Sequence, residues 1–179
     1  MSESGLEPLP IRFDPHTFAE HNTELHGLVA VKAMPRLQDN ILSSDPMVNT
    51  KLRFSRGLFG YPLVMGEAHV NVSMRCERCL DGVEISLNSE INVLIKPAED
   101  SLPEDPETTQ ESPDFHEYDG KILTLSELVE EELLLVMPLV PRHEDISLCN
   151  QDMIAWLASN EEPEAEAKRA ENPFAILKR

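Results

Sequence analysis

Positive charge is scarce in this chain. Fifteen lysines and arginines stand against 33 aspartates and glutamates, a formal net charge of -18. Attraction to phosphate supplies most non-specific affinity for nucleic acid, so the charge opposes generic RNA or DNA binding, and any contact with RNA has to be local or indirect. Acidity of this size serves solubility and also suits basic partners. Glycine is sparse too, 7 residues against 14 prolines, which predicts long extended loops in place of tight glycine turns. Long apolar runs are missing. The longest, "LLLVMPLV" at 133–140, is broken by Pro138 and falls far below the roughly 18 residues of a membrane-span candidate. Cysteine is limited to three residues, and the N-terminus "MSESGLEPLP" has no basic stretch followed by an apolar one. Both features predict a protein of the reducing cytoplasm, with no export and no membrane partner. No G-x-S-x-G elbow, H-E-x-x-H pair, P-loop or dinucleotide fingerprint occurs, which removes the commonest hydrolytic and nucleotide-binding chemistries.

A length of 179 residues with 41% hydrophobic content is enough for one domain with a real core. In "EAHVNVSMRC", Ala68, Val70, Val72, Met74 and Cys76 share one parity and Glu67, His69, Asn71, Ser73 and Arg75 the other. That alternation predicts a half-buried strand. After a turn, Val83, Ile85, Leu87, Ile91, Val93 and Ile95 repeat it, so a long antiparallel hairpin is expected, with one wet face and one face needing a cover. "PIRFDP", "LHGLVAVKAM" and "TKLRFSRGLF" are further strand candidates.

The cover is expected from "TLSELVEEELLLVMP". Thr124 followed by Glu127 predicts a capping box, and Pro138 a stop. Leu125, Leu128, Val129, Glu132, Leu133 and Val136 fall near one stripe, and each large side chain buried there is worth about 1.5–3 kcal/mol. The expected fold class is therefore α+β: an antiparallel sheet, in the form of a long hairpin or meander, under one main amphipathic helix. Four stretches follow: 1–98 mainly β, 99–120 an acidic proline-containing loop, 121–158 a helical portion completing the domain, and 159–179 a polar tail ending in an apolar and basic box. From Glu99 to Asp119 there are nine acidic residues and no lysine or arginine, a composition that cannot fold alone. Oligomeric state is left open.

Chemistry-bearing residues are few. "MRCERCLDG" places Cys76 and Cys79 on a C-x-x-C-x-x-G turn of the kind that presents two thiolates inward, as zinc knuckles do. Zinc in a structural site needs four ligands. His143 and Cys149, six apart just after the helix, are the remaining supply, so a Cys3His shell forms if that loop reaches the hairpin tip. The competing reading makes the three cysteines small apolar core residues. Thioredoxin-like redox work requires a helix after the pair, and here a strand follows. His143 with Glu144 and Asp145 has the look of an acid-base group, but carboxylates beside a histidine are expected by chance in so acidic a chain, and no catalytic residue is assigned. Lys51, Arg53 and Arg56 on one segment and Arg75 and Arg78 at the hairpin tip are candidates for a local RNA or partner contact, set against ordinary solvated strand charges.

Three stretches in order, "MRCERCL", "EELLLVMPLVPRHEDISLC" and "NPFAILKR", resemble the large ribosomal RNA subunit accumulation protein YceD family of bacteria and plastids. Carried over residue by residue, the resemblance covers Cys76, Arg78 and Cys79 at the turn, His143 and Cys149 after the helix, and Asn172, Pro173 and Phe174 in the terminal box. It implies a non-enzymatic role in ribosome biogenesis, supporting synthesis, processing or stability of 23S ribosomal RNA. The implied partners are a large-subunit precursor, a basic ribosomal protein or a maturation factor. Relatives carry extra cysteines after the helix where this chain has Cys149 alone, so His143 has to complete a zinc shell. The alternative is a small zinc protein, or a metal-assisted hydrolase or nuclease, built on Cys76, Cys79, His143 and Cys149.

Overall fold

The computed structural model describes residue 9 and residues 12–100, 113–118 and 122–160. The hairpin predicted from alternation is the spine of the molecule. Strand β4 (Pro62–Arg75) runs antiparallel to β5 (Gly82–Pro97), in register from Leu63 opposite Leu94 to Arg75 opposite Gly82. On one side β4 pairs with β3 (Met47–Arg56), which pairs with β2 (Glu24–Ala30), again antiparallel. On the other side β5 pairs with β6 (Asp114–Tyr118), and this pairing is parallel. The sheet order is β2-β3-β4-β5-β6, and a two-stranded patch joins β1 (Arg12–Phe13) to β7 (Leu123–Thr124).

The acidic segment read as solvated loop therefore contributes an edge strand. Phe115 and Tyr118 give Asp114–Tyr118 enough apolar character to sit half-buried, and tertiary partners supply the rest. The buried Lys96 Nζ lies 3.0 Å from Glu117 and donates to the Asp100 carbonyl at 2.6 Å, while His116 Nδ1 lies 2.7 Å from Glu131. The Lys96–Glu117 and His116–Glu131 ties join residues far apart in sequence, so local composition did not announce them.

Inward parity is as the alternation predicts: Val64, Ala68, Val70, Val72 and Met74 of β4 and Leu87, Ile91, Val93 and Ile95 of β5 are buried. At Gly66 the chain needs glycine for close approach, because a Cβ there would stand 2.0 Å from the Lys51 carbonyl oxygen.

Three helices lie against the inner face. Helix α1 (Pro15–Glu20) is capped by Asp14, whose carboxylate accepts from the His16 amide at 3.0 Å, and it packs Phe18 into a cluster with Phe13 and Phe54 whose ring centroids lie 5.1–5.3 Å apart. The short α2 (Pro35–Gln38) buries Leu37. The main cover, α3 (Leu125–Val136), buries Leu125, Leu128, Val129 and Leu133 against the sheet and ends before Pro138. Two expectations for it change. Thr124 is the N-cap but makes no side-chain cap hydrogen bond, so the capping box does not form, and Val136 is 40% exposed. In exchange Glu130 is buried, accepting from the Leu37 amide and from Arg36 Nε, both at 3.1 Å. A fourth helix, α4 (Gln151–Asn160), follows a 3-10 turn at Ile146–Leu148. Among the described residues no helix is long and apolar enough to cross a membrane.

Candidate metal centre

Strand parity brings the first ligand in. Cys76 continues the inward series of Val70, Val72 and Met74 and is fully buried. Six residues, Cys76 to Asp81, then close the hairpin. The Cys76 amide donates to the Asp81 carbonyl and the Leu80 amide to the Cys76 carbonyl, each at 2.8 Å, and Leu80 takes a left-handed backbone with φ 67°. That turn folds the chain back so that Cys79 also points inward, 1% exposed. A non-glycine residue at positive φ is uncommon, and here it is the geometric cost of bringing two thiols to one side.

The second half arrives from α3. Beyond Pro138 the chain crosses to the hairpin tip, where the Glu77 amide donates to the Pro141 carbonyl at 2.8 Å. His143 then faces the cysteines: its Nδ1 lies 3.6 Å from Cys79 Sγ and 3.6 Å from Cys149 Sγ, while Nε2 lies 3.1 Å from the Gly82 carbonyl. With Nε2–H donating to that carbonyl, Nδ1 keeps its lone pair directed at the sulfurs, the arrangement by which metal-ligating histidines are oriented. One donor atom from each of Cys76, Cys79, His143 and Cys149 falls within 4.8 Å of all the others. A tetrahedral zinc with Zn–S of about 2.3 Å and Zn–N of about 2.0–2.1 Å needs an S-to-N edge of roughly 3.6 Å and an S-to-S edge of roughly 3.8 Å. The donor set fits, and the two His143-to-sulfur distances of 3.6 Å match the S-to-N edge.

Electrostatics favour thiolate at Cys76. Burial alone raises the Cys76 thiol, but the backbone amides of Cys79, Arg78 and His143 together with the His143 ring outweigh it and bring its pKa down to about 5. Cys149 moves the other way: burial raises it, Arg78 partly offsets this, and Cys79 and Cys76 raise it further. A divalent cation removes that opposition, because it holds several thiolates at once.

Arg78 is the residue whose part the sequence did not disclose. Instead of facing solvent with Arg75, its Nε donates to Cys149 Sγ and its Nη2 to the His143 carbonyl, each at 3.1 Å. The other basic candidates are dispersed. Arg53 lies 3.8 Å from Glu24 and Arg56 lies 3.4 Å from Glu20, both pairs exposed, and Lys51 sits opposite Glu67, which itself faces Glu90. Arg75 lies eight residues along β4 from Glu67, roughly 26 Å at strand rise. These side chains do not form one unbroken positive stripe. Glu144 and Asp145 are exposed beside His143, and Asp145 instead caps the following 3-10 turn through the Ser147 amide at 2.8 Å. Asn172, Pro173 and Phe174 lie outside the described residues.

The arrangement that unites the C-x-R-C turn with the histidine and cysteine after α3 also coincides with a known family. Residues 64–179 match the family described as "Large ribosomal RNA subunit accumulation protein YceD". The chain belongs to the YceD family. A similar protein from Haemophilus influenzae, named "Large ribosomal RNA subunit accumulation protein YceD", is 29% identical over 174 residues, covering 94% of each chain. No solved structure matches. The YceD match begins at Val64, early in β4, so it takes in every residue of the Cys/His cluster.

Proposed function

We propose that this protein is a non-enzymatic factor of the bacterial cytoplasm that supports synthesis, processing or stability of 23S ribosomal RNA, working through a protein or ribonucleoprotein partner of the large subunit. Membership of the YceD family supports the ribosomal role. The observation that favours a non-enzymatic one is the closed donor set: with Cys76, Cys79, His143 and Cys149 all taken as ligands, a zinc ion has no open position for water or substrate. Zinc bound there is structural. It clasps the tip of the β4–β5 hairpin to the loop after α3 and so fixes the surface that a partner meets. A net charge of -18 favours a basic protein over naked RNA as that partner.

Gradient sedimentation of lysate tests the role. The protein is expected to comigrate with large-subunit precursors, and its deletion to lower 23S relative to 16S ribosomal RNA. A protein that stays at the top of the gradient, in cells whose 23S level survives the deletion, overturns it. The competing metal-assisted nuclease requires that purified protein degrade RNA and lose that activity in His143→Ala.

A further inference from the structure

Next to the Cys/His cluster the surface is apolar and open. A groove of about 590 Å³ is lined by Cys79, Leu80, Asp81, Asp152, Met153 and Trp156. Leu80 is 53% and Trp156 59% exposed. Two features make this unusual. The left-handed turn that brings Cys79 inward is what pushes Leu80 out. Trp156 is also the single tryptophan of the chain, placed on α4 where its indole face has no core to enter. A large aromatic and a leucine held open beside two carboxylates suit a ligand with apolar side chains followed by positive charge.

The chain carries such a segment. Phe174, Ile176 and Leu177 are followed directly by Lys178 and Arg179. We propose that the segment Phe174–Arg179 docks in cis on the groove formed by the hairpin tip and α4, its apolar side chains against Leu80, Met153 and Trp156 and its two cations toward Asp81 and Asp152. Docked there it covers the outer side of Cys79.

Reach and concentration favour this occupant over a separate molecule. Helix α4 ends at Asn160, so the tether is residues 161–173. Fully extended, a stretch of that length spans up to about 43–47 Å. The ten-residue α4 is only about 15 Å long. A tether matched to its span gives an effective concentration in the millimolar range, so an interaction too weak to hold a free peptide is largely formed within the chain. Charge agrees as well: the intervening "EEPEAEAKRAE" is mainly acidic and is repelled by Asp81 and Asp152, whereas Lys178 and Arg179 are attracted. The proposal stands whether or not the ribosomal role does.

Trp156 reports the docking directly, in the full-length protein. The chain as it stands is compared with Ile176→Asp and, as a milder change at the groove, Asp152→Asn, at low and tenfold higher protein concentration. In Ile176→Asp the emission should shift to the red and the rate of acrylamide quenching should rise about twofold as the ring opens to water. Asp152→Asn should give a smaller shift in the same direction, and added salt should reproduce part of it in the unmodified chain. Unchanged far-ultraviolet circular dichroism separates undocking from unfolding. Identical emission and quenching in all three proteins overturn the proposal. So does a tryptophan signal that depends on protein concentration, because the segment then binds a second copy.

Discussion

Arg78 Nε lies 3.1 Å from Cys149 Sγ, and the same guanidinium reaches the His143 carbonyl through Nη2 at 3.1 Å. One side chain from the hairpin thus ties down both residues that supply donors from the loop after α3. Three thiolates around a divalent cation leave one net negative charge, and a guanidinium against one of the sulfurs offsets it. Arg78→Ala is therefore expected to weaken zinc binding about 10- to 100-fold, measured by competition with a chromogenic chelator. Lysine cannot fork between sulfur and carbonyl, so Arg78→Lys should recover only part of the loss. Affinity unchanged in both variants would return Arg78 to the role of a surface contact.

Metal removal should loosen one region. Exhaustive chelation, or Cys149→Ser, is expected to lower the thermal midpoint and to raise amide exchange at Glu77 and in the 141–149 loop, because zinc that binds only the folded chain stabilises it by mass action. Exchange in the central β3–β4 pairing should change much less. Elemental analysis of protein purified without chelator, with about one zinc per chain expected in the unmodified protein, is the companion measurement.

Glu130 is a demanding polar site in the core. It is 3% exposed and accepts from the Leu37 amide and Arg36 Nε. Glu130→Ala leaves that amide unpaired, at a cost of about 1–3 kcal/mol. Denaturant unfolding should show the loss as a lower midpoint with little change in slope.

Close packing at Gly66 gives a steric prediction. An alanine Cβ meets the Lys51 oxygen at 2.0 Å and Leu52 Cα at 2.9 Å, both of them backbone atoms that move only if β3 and β4 separate. Gly66→Ala should destabilise by at least about 1–3 kcal/mol, the range for overpacking, or prevent folding, checked by soluble yield and thermal midpoint.

Acid should erase one helix cap. The Thr17 hydroxyl, donating to Asp14 at 2.7 Å, and the His16 amide hold the Asp14 carboxyl below its usual value, against a smaller opposing effect of burial. A carboxyl depressed in the folded state contributes stability that is present above its unfolded pKa, near 3.8, and is lost as pH falls through the folded value. Asp14→Ala should cost about 1 kcal/mol at neutral pH, and the difference from the unmodified protein should shrink toward zero in strong acid.

Period-two alternation made the β4–β5 hairpin legible, because each inward side chain is specified by its own position and by the pleat. Leu125, Leu128, Val129 and Leu133 were legible for the same reason at helical period. Strand β6 was not: Asp114–Tyr118 sits in an acidic surround, and its pairing depends on Lys96, Glu117, His116 and Glu131, which only the fold brings together. Helix α4 was legible only as part of the helical stretch 121–158, without bounds of its own, because Gln151–Asn160 buries no residue fully, leaving little apolar stripe to read. In the Cys/His cluster, residue types and spacing named the four donors, whereas the part of Arg78 was invisible, since an arginine on a turn looks like any solvated charge.

The amino-acid pattern alone thus determined the inward parity of Cys76, the stop of α3 at Pro138 and the supply of three thiols and one imidazole, since each follows from local backbone geometry and composition. Tertiary structure decided whether those four groups meet. That depended on the crossing from Pro138 to the hairpin tip, on the Glu77-to-Pro141 hydrogen bond and on the direction of Arg78, all long-range contacts whose free energy appears only when sheet and helix are already packed.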